Sequence, residues 1–195
     1  MATRPGRLEG KVALVTRGGY GFGAGIVSKF VEEGAKVLVV DHSVSHGKEV
    51  ADEQPMGTAV FCRADVTQQD DWKRAVEKAV ETFGHLDIIV NHAGAVHRMM
   101  VSNGPAPSLA TKGLLTSVKP SIEVPEADLD RVINSNIKTI YHCVQAVVPY
   151  FLSRAQKEAD ALAPNGAKHD PHCHGCCILN ISSISAPRPR PGLVL

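Results

Sequence analysis

Short apolar runs alternate with helical patterns along this sequence, and that alternation constrains the fold more than any other feature. Five runs have the length and composition of buried strands: residues 11–16, 36–40, 59–63, 86–90 and 178–181. Between most of these runs, apolar residues recur every three or four positions, as they do in helices that cover a sheet. Because parallel strands need crossover connections, the alternation predicts an α/β fold built on a doubly wound parallel sheet of about five strands.

The overall composition is that of an ordinary globular domain. The chain has 195 residues, of which 44% are hydrophobic and 21% charged, and its formal net charge is +1. We therefore treat residues 1–195 as a single domain. A net charge near zero gives no reason to expect nucleic acid or an acidic membrane surface as a partner. No apolar run exceeds four residues and the first ten residues lack the apolar core of a secretory signal, so we expect no membrane contact and a cytoplasmic location.

The region after the fourth predicted strand is less regular. Residues 95–125 contain four prolines and little periodicity, which predicts a long loop. A helical region then opens at Glu126. Six apolar residues line one face of it: Ile133, Ile137, Tyr141, Val144, Val148 and Phe151.

A cluster of cysteine and histidine lies just before the fifth predicted strand. It consists of His169, His172, Cys173, His174, Cys176 and Cys177. Its C-x-x-C pair with nearby histidines has the donor types and spacing that zinc prefers. No second pair occurs elsewhere in the sequence at zinc-finger spacing, so we predict no metal site. We interpret the five cysteines of the chain as reduced thiols.

A glycine-rich stretch joins the first predicted strand to the first helix. It reads Thr16-Arg17-Gly18-Gly19-Tyr20-Gly21-Phe22-Gly23. A dinucleotide diphosphate binds at a helix N-terminus, against free backbone N–H groups, and glycine lets it approach. The alternative is a plain glycine-rich turn, but the strand before it and the helix after it favour cofactor binding. Thr16, Tyr20, Gly21, Phe22 and Gly23 are the candidate cofactor-binding residues here.

An acidic residue, Asp41, closes the second predicted strand, 18 residues after Gly23. A carboxylate at this place accepts hydrogen bonds from both hydroxyls of the adenosine ribose and repels a 2′-phosphate. We therefore expect NAD as the cofactor, with NADP as the alternative. A solvated aspartate at the end of a strand is the competing interpretation.

These motifs resemble those of the classical short-chain dehydrogenase/reductase family, whose fold is Rossmann-like. Gly21 and Gly23 match the second and third glycines of its T-G-x-x-x-G-x-G motif, and Arg17 stands in place of the first. Asp65-Val66 is similar to the Asp-hydrophobic pair that contacts adenine, and Asn91-His92-Ala93-Gly94 is similar to N-N-A-G. The resemblance implies that Asp65, Val66, Asn91, Ala93 and Gly94 also serve the cofactor, at the carboxyl ends of strands where open parallel sheets bind ligands.

The resemblance also implies a reaction. The family transfers a hydride between NAD(P) and a secondary alcohol or ketone, so the expected partner is a small molecule of that class. Asn136 matches the helix asparagine that holds a water of the proton relay, and Ser183 matches the catalytic serine that binds the substrate oxygen. Asn136 and Ser183 are therefore the candidate catalytic residues. A buried structural asparagine and an ordinary serine pair at a strand end are the alternatives.

The acid/base motif of the family, Y-x-x-x-K, occurs nowhere in this sequence. Counted from Ser183, its tyrosine belongs at the first position beyond Leu195. We therefore expect a truncated member of the family, with a sheet incomplete on its C-terminal side and impaired or absent activity. The alternative is a non-catalytic module that binds a dinucleotide or a partner. Because the usual interface helix of the family is missing, the sequence leaves open whether the chain forms a homo-oligomer.

Overall fold

The structure is a computed structural model that describes residues 6–95, 97–98, 125–162, 175–183 and 193–194. Its strands, in chain order, are β1 (Val12–Thr16), β2 (Lys36–Asp41), β3 (Ala59–Arg63), β4 (Ile88–Asn91), β5 (His97–Arg98), β6 (Cys177–Asn180) and β7 (Leu193–Val194). Its helices are α1 (Gly21–Glu32), α2 (Val44–Asp52), α3 (Gln69–Phe83), α4 (Glu126–Ile133) and α5 (Thr139–Leu162). A π-helical segment, Asn134–Lys138, joins α4 to α5.

The central feature is a five-stranded parallel sheet with strand order β3-β2-β1-β4-β6. The chain builds outward from β1 to β3, and then crosses back to place β4 on the other side of β1. This reversal is the topological switch point of a doubly wound sheet, so the predicted Rossmann-like α/β class is confirmed. β5 and β7 form a separate antiparallel pair.

Helices cover both faces of the sheet. Successive residues of a strand point to opposite faces, so these apolar strands present apolar side chains on both of them. Ala13, Val15, Val37 and Val39 are buried with α1 and α2 on one face. Leu14, Leu38, Val40 and Ile89 are buried with α3 and α5 on the other. Trp72, the only tryptophan in the sequence, is 1% exposed in this second layer and donates its indole N–H to the Val66 carbonyl at 2.9 Å. Both layers fix the positions of the strand ends.

The helical region after Glu126 packs with a different face from the most apolar one in its sequence. Ile137, Tyr141 and Val144, from the predicted apolar face, are 63%, 58% and 38% exposed. The residues that enter the core instead are Val132, Thr139, Cys143 and Val147. Cys143 and Val147 pack in the layer that contains α3, and Phe151, from the predicted face, is partly buried against the same layer.

A buried ion pair holds the amino ends of the strands together. Asp87, 1% exposed, accepts a hydrogen bond from the backbone N–H of Val12 at 2.8 Å and another from Arg154 Nη1 at 2.8 Å. Arg154 also donates to the Leu86 carbonyl at 3.0 Å and to Glu158 at 2.6 Å. Burial by itself lowers the pKa of Arg154, but the hydrogen bonds to Asp87 and Glu158 outweigh it and raise the pKa overall.

Two sequence features fall largely outside the described residues: the 95–125 loop, apart from residues 95, 97–98 and 125, and the cysteine–histidine cluster, apart from Cys176 and Cys177. Within the described ranges, His, Cys, Asp and Glu side chains form no group of three or more that could hold a metal ion. None of the helices in those ranges combines the length and apolar character needed to cross a bilayer.

Candidate functional site

A cleft of about 400 Å³ opens at the carboxyl edge of the sheet, beside the switch point between β1 and β4. Five parts of the chain line it: Arg17 after β1, residues 40–42 at the end of β2, residues 64–67 after β3, residues 93–95 after β4, and the helix residues Arg131, Ser135 and Thr139. The cleft brings together five of the predicted cofactor residues: Asp41, Asp65, Val66, Ala93 and Gly94. The other six are not in its lining: Thr16, Tyr20, Gly21, Phe22, Gly23 and Asn91. Arg17 is the residue of the glycine-rich stretch that lines the cleft.

The glycine-rich turn is packed too tightly for side chains at three of its glycines. A Cβ on Gly23 would lie 2.0 Å from the Arg17 carbonyl oxygen, one on Gly19 would lie 2.7 Å from the Gly47 nitrogen, and one on Gly18 would lie 2.9 Å from Val39 Cγ1. Gly21 has open space around it but adopts φ +57, which favours glycine. The turn thus needs glycine for close approach at Gly23 and for backbone conformation at Gly21.

The N-terminus of α1 has no acidic or capping side chain of its own. Tyr20 precedes the helix and makes no side-chain capping hydrogen bond, and the first turn of α1 contains no acidic residue. The first backbone N–H groups of a helix lack intrahelical partners and carry a partial positive charge. This end of α1 therefore fits an anionic group such as a diphosphate. The side chains of Tyr20 and Phe22 are 61% and 85% exposed beside it.

Thr16 ties the end of β1 to the turn after β4. Its Oγ1 accepts the backbone N–H groups of His92 and Ala93, both at 3.0 Å, and donates to the Val90 carbonyl at 3.3 Å. The side chain is 1% exposed, so its hydroxyl is occupied by the protein itself. Thr16 is outside the cleft lining, and its contacts position the 93–95 stretch that forms one wall of the cleft.

Asp41 is buried at the end of β2, with only 5% of its surface exposed. Its Oδ2 accepts the backbone N–H of Gly19 at 3.1 Å, and its Oδ1 accepts that of Ser43 at 2.9 Å. Asp41 is therefore not a solvated strand-end residue, since it holds the glycine-rich turn against the start of α2. Each carboxylate oxygen has a second lone pair, which leaves room for hydrogen bonds to a ligand in the cleft.

The other predicted cofactor residues fall into two groups. Asp65, Val66, Ala93 and Gly94 line the cleft, and Asp65 Oδ1 accepts the N–H and the hydroxyl of Thr67 at 2.9 and 2.7 Å. Asn91 lies outside the lining. Its Nδ2 donates to Asn180 Oδ1 at 2.8 Å, which joins β4 to β6.

The two candidate catalytic residues are both near the carboxyl edge of the sheet. Asn136 lies in the π-helical segment, where its Oδ1 accepts the Ala95 N–H at 2.7 Å and its Nδ2 donates to the Ala95 carbonyl at 2.8 Å. This pair of bonds fixes the stretch after β4 to the helix. Ser183 follows β6 by three positions and is exposed.

Sequence reasoning missed the helix wall of the cleft. Arg131, Ser135 and Thr139 recur at intervals of four residues, so they lie on one face across α4, the π-helical segment and the start of α5. The four-residue spacing can be read from the sequence, but a mixed polar pattern does not indicate that this face of the helix lines a cleft.

His92, which replaces an asparagine of N-N-A-G, is half-buried next to Gly23, and burial lowers the pKa of its imidazole.

Comparison with known proteins agrees with this geometry. The family model for short chain dehydrogenase matches residues 11–160. The chain is 30% identical over 188 residues to the 4-formylbenzenesulfonate dehydrogenase TsaC1/TsaC2 of Comamonas testosteroni, which covers 95% of this chain and 60% of that protein. It is 49% identical over 88 residues to the L-fucose dehydrogenase of Bos taurus, covering 45% of this chain and 32% of that protein.

A solved structure supports the same assignment. The 3-ketoacyl-(acyl-carrier-protein) reductase from Brucella melitensis, complexed with NADH, superimposes with a TM-score of 0.74 at 32% identity, covering 95% of this chain and 62% of that one. The chain thus spans about 60% of the length of these longer matches. With the family model covering most of the sequence and the fold and motifs in agreement, the chain belongs to the short-chain dehydrogenase family.

Proposed function

We propose that the protein is an oxidoreductase that transfers a hydride between a nicotinamide dinucleotide and the carbon of a secondary alcohol or ketone. The observation that carries this proposal is the cleft at the switch point of the sheet. Its lining includes Arg17, in the turn that leads from β1 to the uncapped N-terminus of α1. We assign the cleft to the adenosine half of the dinucleotide. The Brucella melitensis reductase, which shares the fold, is itself complexed with NADH.

The binding roles follow from the positions of the residues. The diphosphate lies at the start of α1, where Gly21 and Gly23 give it access to backbone N–H groups. Adenine lies between the stretch after β3, with Asp65 and Val66, and the helix wall. Ala93 and Gly94 form the opposite rim of the cleft.

Asp41 supports NAD as the preferred cofactor. Its carboxylate lines the cleft and is already oriented by two backbone N–H groups, so it accepts ribose hydroxyls at little further entropic cost. A 2′-phosphate beside a buried carboxylate is repelled, which disfavours NADP.

The chemical step needs a hydride at the substrate carbon and a proton at its oxygen. We assign Ser183 the hydrogen bond to the substrate oxygen, and Asn136 the support of the adjacent turn through its two bonds to Ala95. The proton donor of the family is the tyrosine of Y-x-x-x-K, and these 195 residues contain no such motif. We therefore expect residues 1–195 by themselves to bind the dinucleotide without turning it over.

A second candidate function is a non-catalytic dinucleotide-binding module. The observation that favours it is that both polar atoms of the Asn136 amide are engaged by the Ala95 backbone, an arrangement sufficient for a structural role. Oxidation of NADH by residues 1–195 with any ketone would exclude the non-catalytic module and would also contradict the expected inactivity.

The binding proposal is tested by calorimetric titration with NAD of the wild-type chain, Gly23→Ala and Gly25→Ala. A Cβ on Gly23 collides with the Arg17 carbonyl oxygen, whereas one on Gly25, two residues along the same helix, meets nothing within 4 Å. We expect Gly25→Ala to bind NAD like the wild type and Gly23→Ala to lose roughly a hundredfold in affinity, about 2.7 kcal/mol. Absence of NAD binding by the wild type, or equal binding by Gly23→Ala, would overturn the assignment of the cleft.

A further inference from the structure

Arg17 reaches across the cleft from one rim to the other. It belongs to the turn after β1, and its Nη1 donates to the carbonyl oxygen of Gly94, in the turn after β4, at 3.3 Å. Both residues line the cleft. A guanidinium therefore stands in the part of the site that the proposed function assigns to adenosine.

The backbone of Arg17 has an unusual conformation for its residue type. Its φ is +53, and it is the only non-glycine residue in the described ranges with positive φ. L-residues with side chains are disfavoured in this region, where glycine is at ease. Unfavourable backbone conformations of this kind are concentrated at functional sites, so the presence of an arginine here suggests a functional role for its side chain.

The charge of Arg17 is not used within the described part of the protein. Its Nη1 bond goes to a neutral, exposed carbonyl, and no carboxylate of the described residues forms an ion pair with it. The two acidic residues of the cleft already have other donors. Asp41 accepts the Gly19 and Ser43 N–H groups, and Asp65 accepts the N–H and hydroxyl of Thr67.

A guanidinium whose hydrogen bond goes to a neutral carbonyl is suited to bind an anion. It has five N–H donors, and a phosphate oxygen is a stronger acceptor for them than a neutral carbonyl, with a fork geometry that matches two oxygens at once. The neighbouring N-terminus of α1 attracts the same kind of group. A long bond to Gly94 is a weak interaction to give up in exchange.

We propose that Arg17 is a phosphate-binding residue of this cleft, and that its guanidinium exchanges the Gly94 carbonyl for a phosphate oxygen when a nucleotide binds. The proposal rests on the proposed function. We assign this phosphate to the diphosphate, and a 2′-phosphate on the ribose is the alternative that the experiment distinguishes. The alternative interpretation of the same geometry is that the side chain obstructs the adenosine site. That interpretation predicts that removal of the side chain raises the affinity for NAD.

The experiment compares the wild-type chain with Arg17→Gly and Arg17→Lys. Glycine removes the charge and accepts positive φ, so the variant is expected to fold, and lysine keeps the charge without the fork. Each protein is titrated calorimetrically with adenosine, ADP, adenosine 2′-phosphate and NAD. We expect Arg17→Gly to bind ADP and NAD roughly tenfold more weakly, about 1.4 kcal/mol, and adenosine unchanged, with Arg17→Lys in between.

The ligands distinguish the source of the phosphate. A loss confined to ADP and NAD assigns Arg17 to the diphosphate, and a loss confined to adenosine 2′-phosphate assigns it to the ribose. NAD binding by Arg17→Gly that equals or exceeds that of the wild type, without a loss for adenosine 2′-phosphate, would overturn the proposal. Failure of every protein to bind any of the four ligands would instead overturn the proposed function, and this inference with it.

Discussion

Two buried aspartates at opposite ends of the sheet differ in what neutralises them. Asp87, before β4 at the amino end, is paired with Arg154 at 2.8 Å, in a site where the arginine side chain is 21% exposed. Asp41, at the carboxyl end of β2, accepts two backbone N–H groups, and the exposed side chain of His42 lies 3.3 Å from its Oδ1. Among the described residues, no lysine or arginine pairs with it.

The difference indicates which end of the sheet serves stability and which serves binding. The charge of a buried carboxylate that pairs with a guanidinium is balanced within the protein, and the pair joins the strands to the helix. A carboxylate oriented by backbone dipoles keeps its charge available to a ligand in the adjoining cleft. Substitutions at the two ends should therefore separate effects on the free energy of unfolding from effects on nucleotide affinity.

Arg154→Met is expected to have the largest effect on stability. It leaves Asp87 buried without its guanidinium, with the Val12 N–H and His85 Nε2, at 2.8 and 3.1 Å, as the remaining contacts of its carboxylate. We expect a cost of about 3 kcal/mol in the free energy of unfolding measured by urea denaturation. The matched control is Lys73→Ala, which breaks a pair with Asp70 whose side chains are 54% and 85% exposed. We expect the control to change stability by less than about 1 kcal/mol. Similar losses in the two variants would refute the distinction between the two kinds of pair.

Asp41→Asn is expected to have a smaller effect on stability and a larger one on binding. The amide can accept only at its oxygen, so one of the two N–H groups from Gly19 and Ser43 loses its partner, at about 1–2 kcal/mol. NAD affinity should fall about tenfold, and the preference for NAD over NADP should shrink, since the repulsive charge is gone. Calorimetric titration with both dinucleotides checks this, and an unchanged preference would remove Asp41 as its cause.

Arg17→Gly should stabilise the chain even as it weakens binding. Relief of the positive φ at this position is expected to raise the free energy of unfolding by up to about 1 kcal/mol, although the more flexible glycine also stabilises the unfolded state. Thermal unfolding without ligand measures the change. A clear loss of stability would mean that the hydrogen bond to Gly94 is more important than the backbone conformation.

His92→Asn should change the pH dependence of stability, as the smallest of the four effects. Burial lowers the pKa of the imidazole below its ordinary value of 6.5, so the folded chain resists a proton that the unfolded chain accepts. The stability contribution of neutral His92 is complete above about pH 6.5 and is lost as the pH falls towards the lowered pKa. Urea denaturation at about pH 7.5 and 5.5 should show a smaller difference for the variant, and an equal difference would exclude His92 as a source.

The regular half of the fold was predictable because local patterns and tertiary packing agree there. Strand β3 was predicted at its observed bounds, residues 59–63, and Gly84 ends α3 in the left-handed conformation as its position after Phe83 indicates. The region after Glu126 was predicted as helical, but its buried face was not. Hydrophobicity favoured Ile137 and Tyr141, while packing against α3 selected Cys143 and Val147.

The sequence by itself determined the alternation of strands and helices, the glycine-rich turn and the acidic residue after β2, because each depends on residues close together in the chain. Only the tertiary structure decided that Thr16 and Asn91 serve to join strands, that Asp41 is held by Gly19 and Ser43, and that Arg17 reaches Gly94. These contacts depend on which strand ends meet at the switch point, and on the direction in which each side chain leaves its backbone. Neither is written in local spacing, because the partners are brought together only when distant segments pack into one sheet.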